Sequence, residues 1–217
     1  MIYNLSKHNS IVNHFLAELR DVNIQQDRLR FRRNLERIGE VIAYNISEYL
    51  EYEEAEIETP LGIANTFLLK QQPVLATILR AGLPFHQGFL NIFDRADNAF
   101  ISAYRRHSKD GSFKIKLEYV AAPNLEGKTL ILADPMLATG ASMVATLKSL
   151  IEEVGQPKVI YIATVIAAQE GIDYVQRMFP DAQIWAGAID EELTAKSYIV
   201  PGLGDAGDLA FGDKLRD

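Results

Sequence analysis

Three groups of residues carry the polar chemistry of this chain. The first is Thr129–Ser142, TLILADPMLATGAS, in which an apolar strand runs into a turn of small and hydroxyl-bearing residues. Leu130, Ile131 and Leu132 read as a buried strand, and Asp134 stands where that strand leaves its sheet. Ala138, Thr139, Gly140, Ala141 and Ser142 then open a helix over 143–154. Amides at a helix start lack intrahelical partners and lie at the positive end of the dipole, so a phosphate suits that place. Thr139 and Ser142 add hydroxyl donors, while Gly140 and Ala141 keep the rim low. An ordinary strand-to-helix loop capped by Ser or Thr would carry the same pattern.

The second group is arginine at predicted strand ends: Arg80 after an apolar strand over 74–79, and Arg105 and Arg106 after one over 99–104. The guanidinium fork binds phosphate oxygens in pairs and stays charged. Arg80, wedged between an apolar strand and Ala81-Gly82, is the stronger candidate; Arg106 reads as a solvated charge. The third group is the tail, Tyr198–Asp208, YIVPGLGDAGD. It spells G-x-G-x-x-G, but only ten residues follow Gly207, too few for the acid that a dinucleotide site places roughly 20 residues on. It reads better as a wall of peptide groups facing a flat polar ligand such as a nucleobase, with Asp205 as the ionisable group held there.

The elements that must position these groups follow from periodicity. Ser10 is placed to cap a helix with Ile11, Phe15, Leu16 and Leu19 on its apolar side. A longer helix spans about 27–50, with Leu29, Leu35, Ile38, Ile42 and Ile46. Residues 51–58 carry five glutamates and read as a solvated rim. Pro60 and Gly62 mark a turn, and 66–69 a short accessory strand. From Val74 strands and helices alternate: strand 74–79, helix from Pro84, strand 99–104, a hairpin arm 113–122 whose turn holds Lys109 to Gly111, then strand 129–134, helix 143–154, strand 158–166, helix 169–179 and strand 183–188. This implies one α/β domain, a parallel sheet flanked by helices, with ligands at the carboxyl ends of its strands. Within it, 1–70 form N-terminal helices and an accessory segment, 71–190 the core, and 191–217 a base-binding tail.

Composition narrows the function. With 217 residues, 48% hydrophobic and 24% charged, the chain suits an ordinary folded domain. Cysteine is absent, which removes disulfides and thiolate chemistry. Residues 1–10 lack an apolar signal core, and the longest apolar run, 159–168, falls short of the roughly 20 residues that span a bilayer. A cytoplasmic protein without membrane contact is expected. A net charge of −7 opposes broad nucleic-acid binding. His8, His14, His86 and His107 have no metal-ligand spacing, and Trp185 reads as core or interface.

Together ILRAG (78–82), YR (104–105), DPMLATGAS (134–142) and YIVPGLGDAGD (198–208) resemble the uracil phosphoribosyltransferase family, in that family's order and over nearly the whole chain. Pro135 is telling, because other type I phosphoribosyltransferases usually place a second acid there. The resemblance implies a type I phosphoribosyltransferase fold with a small C-terminal base-binding hood. It also implies transfer of the phosphoribosyl group of 5-phosphoribosyl 1-diphosphate (PRPP) to uracil, giving UMP and diphosphate, with Mg2+ escorting the diphosphate. Leu137, Ala138, Thr139, Gly140, Ala141 and Ser142 would hold the 5-phosphate, with Pro135 and Met136 in the same PRPP loop and Asp134 near the ribose. Arg80 and Arg105 would stabilise the departing diphosphate. Ile199, Gly204 and Ala206 would hold uracil through main-chain groups beside Tyr198, and Asp205 would approach PRPP through water or metal. No direct protein ligand to the metal is expected. A homodimer or higher homo-oligomer and a GTP effector are further implications. Two positions depart from the family, Ala141 and Pro84, each commonly glycine there. A nucleotide-sensing RNA binder and an enzyme for another base are the rival readings; the acidic chain opposes the first, Asp134-Pro135 and the tail the second.

Overall fold

The computed structural model describes the backbone of residues 1–107 and 113–214, and side chains outside 103–118. The chain opens with a three-residue strand β1 (Ile2–Asn4), a 3-10 turn (Leu5–Lys7) and α1 (Ile11–Arg20). Ser10 caps α1 by accepting from the Val12 amide. Helix α2 (Arg28–Ser47) is capped by Asp27, which accepts from the Arg30 amide. Leu35, Ile38, Ile42 and Ile46 are buried as expected, whereas Ile11 and Leu29 face outward; Val12 takes the inward place on α1.

The glutamate-rich segment is more ordered than a rim. It forms β2 (Tyr52–Thr59), paired antiparallel with β3 (Gly62–Leu69) in an exposed hairpin. The main sheet begins at β4 (Val74–Leu79), followed by α3 (Gly82–Ile92), β5 (Asp97–His107) and β6 (Phe113–Ala121). After these come β7 (Thr129–Ala133), the two-residue β8 (Met136–Leu137), α4 (Ala141–Val154), β9 (Val159–Ala168), α5 (Gln169–Met178) and β10 (Gln183–Asp190). The strand order is β1-β10-β9-β7-β4-β5-β6, with β8 beside β9; pairing is parallel except for β5 with β6. The antiparallel β5–β6 pair is the predicted hairpin arm; its 108–112 turn lies outside the described residues.

Alternate side chains enter two core layers. On β4, Leu75 packs with α1, α2 and α3, while Val74, Ala76 and Ile78 face the α4–α5 side. On β7, Ile131 and Ala133 join the first layer, Leu130 and Leu132 the second. Helices therefore cover both faces, as a parallel sheet requires. The chain leaves β4 toward β5 on one side and β7 toward β9 on the other. The switch point lies between β4 and β7, and a crevice must open there at their carboxyl ends.

The tail continues as an antiparallel ribbon of β11 (Glu192–Leu193) and β12 (Ile199–Val200), then α6 (Ala206–Phe211). A strand and a helix thus flank the glycine run, but the strand belongs to this two-stranded ribbon and not to a βαβ unit. Among the described residues, no helix is long and apolar enough to cross a membrane.

Candidate active site

The phosphate-loop segment departs from the sheet in steps that its own residues dictate. Thr77 Oγ1, fully buried on β4, donates to the Ala133 carbonyl at 3.1 Å and ties the two switch-point strands where both end. The Asp134 amide donates to the Ala163 carbonyl at 3.1 Å. The Pro135 carbonyl then accepts from both Val165 (3.1 Å) and Ile166 (3.0 Å). Two successive β9 amides on one oxygen break the strand's alternation, and Val165 and Ile166 both enter the α1–α3 core layer.

Helix α4 starts at Ala141, two residues earlier than its apolar pattern indicates. Its N-cap is Gly140, at φ 76°, and no side chain caps it. The Thr139 hydroxyl accepts only a long bond, 3.4 Å, from the Ala141 amide. The first-turn amides are thus available to an anion. A Cβ at Gly140 would stand 2.8 Å from the Gly171 carbonyl, so neither the backbone angle nor the space admits another residue. Gly171 is matched to the loop: a Cβ there would meet the Ala138 carbonyl at 2.2 Å. The loop therefore lies directly on α5. Ala141, by contrast, sits inside the helix with ordinary geometry.

Asp134, Met136, Leu137, Ala138, Thr139, Gly140, Ala141, Ser142 and Met143 line a small cavity. Pro135 is buried behind it. Burial pushes the Asp134 carboxyl up to about 7, against the lowering effect of a bond from the Met136 amide. An acid at the floor that is partly neutral near pH 7 repels a phosphate less than a carboxylate would.

Arg80 follows β4 at the same rim. Its Nη2 donates to Asp208 Oδ1 and to the Gly212 carbonyl, both at 3.2 Å. A Cβ on Gly207 would fall 3.9 Å from Arg80 Nη2, so the tail abuts the arginine. Asp205, expected to face the ligand, caps α6: its Oδ1 accepts from the Gly207 (2.9 Å) and Asp208 (3.1 Å) amides. Its Oδ2 lies 3.6 Å from Lys214 Nζ. Tyr198 and Gly204 are exposed, and Ile199 and Ala206 buried, so the tail presents backbone at its rim with apolar side chains turned inward. Arg105 and Arg106 lie on β5 opposite Ile115 and Lys114; their side chains, with those of His107 and Lys109, are outside the described residues.

His86 is buried, with Nε2 2.8 Å from Asn98 Oδ1, and burial holds its pKa below the ordinary value. Trp185 is core, stacked on Tyr3 at 3.8 Å. The structure adds residues that no local pattern marks: Thr77, Gly171, Asp208, and an ion pair of the buried Asp190 with the partly exposed Arg20, beneath the tail. The only sequence signal among them is that Asp208 closes the GDAGD run.

The arrangement has close relatives. Residues 6–213 match the family model described as uracil phosphoribosyltransferase. A uracil phosphoribosyltransferase of Porphyromonas gingivalis is 53% identical over 215 residues, covering 99% of both chains. One from Thermococcus gammatolerans is 40% identical over 204 residues, covering 93% of this chain and 89% of that protein. The solved structure of the AQ2163 protein from Aquifex aeolicus superposes with a TM-score of 0.87 at 29% identity, covering all of both chains. With this match over nearly its whole length, the 134–142 loop at the switch point and the glycine tail against Arg80, the chain belongs to the uracil phosphoribosyltransferase family.

Proposed function

We propose that this chain joins uracil to the phosphoribosyl group of PRPP, forming UMP and diphosphate in pyrimidine salvage. The observation that carries the reading is the meeting of three groups at one rim: the uncapped α4 start, Arg80, and the glycine tail held to Arg80 through Asp208. The first fits a 5-phosphate, the second an anionic leaving group, the third the edge of a flat base.

The chemistry follows from charge placement. A uracil ring nitrogen attacks the anomeric carbon as the bond to the diphosphate oxygen breaks, and the configuration there inverts. Positive charge develops on the ribose ring and negative charge on the leaving oxygens. A site that fixes both ends of PRPP and supplies cations at the departing end lowers the barrier without a strong nucleophile of its own. Arg80 is the described cation in that place, with Arg105 as its proposed companion. Asp134 lies toward the ribose, and Asp205 approaches PRPP.

Among the described residues, no three acidic, histidine or cysteine side chains gather as a metal cage. The residues fit a magnesium ion carried by its substrate, since Mg2+ commonly keeps its waters and binds through phosphate oxygens with one or two carboxylates. When bound, it would neutralise diphosphate charge. The exposed β2–β3 hairpin, with Leu61, Ile63 and Phe67 open to solvent, supports self-association. Activation by GTP belongs to the same proposal.

Incubation with PRPP, magnesium and a panel of free bases tests the reading. UMP and diphosphate are expected from uracil. Consumption of no base, or of another base in preference, overturns it.

A further inference from the structure

An ion pair beneath the tail, with Asp190 buried and Arg20 partly exposed, is aimed at the two backbone groups of one residue. Asp190 ends β10 and is 8% exposed. Its Oδ1 accepts from Arg20 Nη2 at 2.8 Å and its Oδ2 from Arg20 Nη1 at 2.8 Å. Oδ2 also accepts from the Gly202 amide at 2.9 Å, and Arg20 Nη1 donates to the Gly202 carbonyl at 2.9 Å. Both polar groups of Gly202 are therefore gripped by one carboxylate–guanidinium unit. Arg20 closes α1 and Asp190 closes a core strand, so the grip comes from two well-packed elements.

Gly202 is the pivot of the base-binding tail. It sits at φ 56°, and a Cβ there would meet the Ile199 carbonyl at 2.1 Å. Three residues before it is Ile199, and two after it is Gly204. A displacement of Gly202 would shift these two of the three main-chain groups proposed to face the base. Burying the Asp190 charge against a partly exposed arginine seldom stabilises more than apolar packing would. What the bidentate fork adds is direction: with carboxylate and guanidinium locked together by two bonds, the Gly202 N–H and C=O, one in each peptide unit flanking its Cα, must both turn toward the pair.

We infer that Arg20 and Asp190 are positioning residues for uracil: they fix the backbone on both sides of the Gly202 Cα and thereby set the spacing of the main-chain groups that select the base. The inference rests on the function proposed above. It needs no contact between either residue and a ligand.

The test compares the wild type with Asp190→Asn and Arg20→Lys, in steady-state assays against uracil and against PRPP. Asp190→Asn keeps the volume and loses the charge; Arg20→Lys keeps the charge and loses the fork. Each is expected to raise KM for uracil about tenfold or more, the scale of one charge-assisted bond, while KM for PRPP stays within about twofold. The ratio of kcat/KM for uracil over cytosine is expected to fall in both. Exchange of the amide hydrogens over 199–204 should quicken in both, with that of α4 unchanged. If one variant fails to fold, the other carries the test; if both fail, the pair is only a structural staple and the inference is overturned. A folded variant with wild-type uracil KM and base ratio also overturns it, as does an equal rise in both KM values. If the wild type itself makes no UMP, the functional reading falls instead, and faster exchange at 199–204 would still report the grip on the tail.

Discussion

Arg80 and Asp208, 128 residues apart in the chain, meet at 3.2 Å where β4 ends and α6 begins to close the tail. Arg80 remains 46% exposed and the Asp208 side chain 9% exposed, so the guanidinium faces solvent while its partner is nearly buried. The Asp208 amide is in turn held by Asp205 Oδ1. Arg80, proposed to meet the leaving diphosphate, and the tail proposed to bind the base are thus one connected unit, so under that proposal a diphosphate shares Arg80 with the tail or takes it over.

Replacing Arg80 with Ala is expected to lower kcat by about 10²–10³, the usual scale for losing one donor to developing charge. Arg80→Lys should recover part of that loss, because it restores a point charge without the fork. Thermal stability should fall modestly: Arg80 is half exposed, but its loss takes one partner from the nearly buried Asp208 carboxylate. Steady-state kinetics with both substrates decides the matter; unchanged kcat and kcat/KM would remove Arg80 from the chemistry.

Gly140→Ala should both destabilise the protein and weaken PRPP binding. A non-glycine residue at this φ costs on the order of 1–3 kcal/mol, and the added Cβ presses on the Gly171 carbonyl. Urea unfolding measures the first effect and KM for PRPP the second. Wild-type values for both would show that the loop relaxes freely.

Asp134 makes stability depend on pH in a direction that can be worked out. Its folded pKa is raised to about 7 from 3.8, so between those values the folded state holds a proton that the unfolded state has released. The contribution is complete below about pH 3.8 and is lost as pH rises through 7, at no more than about 1.4 kcal/mol per pH unit. His86, held below its usual pKa, acts oppositely, costing stability as pH falls below its ordinary value. The difference between wild type and Asp134→Asn isolates the acid. Melting curves from pH 5 to 8 should show the wild type losing ground to the variant as pH rises; parallel curves would refute the shift.

Base selection should be steep. A peptide N–H aimed at the 4-oxo group of uracil would meet the amino group of cytosine and be left buried without an acceptor. Sites of that kind discriminate by roughly 10⁴–10⁵ in kcat/KM. Comparable turnover of cytosine and uracil would show that the tail does not read this edge.

Much of the scaffold was legible because local physics determines it. Ser10 and Asp27 announce their helices by side-chain caps, and the apolar runs read as strands over 74–79, 129–134 and 158–166 are buried strands of the sheet, with ends shifted by one or two residues in the last two. The glycine and hydroxyl turn after β7 reads as an anion site because helix starts leave amides unpaired wherever they occur. Strand β1 was hidden: three residues are too short for periodicity, and Ile2–Asn4 is a strand only because the open edge of β10 accepts it. Strand β2 was masked by its glutamates, which need no burial on a hairpin exposed on both faces. The early start of α4 was hidden because Ala141 and Ser142 add nothing to the apolar stripe.

The sequence by itself determined the alternation of strands and helices from Val74 onward and the glycine turn after β7, each from residues within a few positions of one another, where spacing along the chain is also spacing in space. It determined the family from four such local segments in order. Only the tertiary structure decided that Asp208 holds Arg80 and that Arg20 and Asp190 grip Gly202. Those are pairings of charges with one another and with peptide groups, some more than 100 residues apart, and no periodicity encodes them. They exist because β4, α1 and β10 end near one rim, a consequence of strand order, and that order is set by how the apolar faces pack.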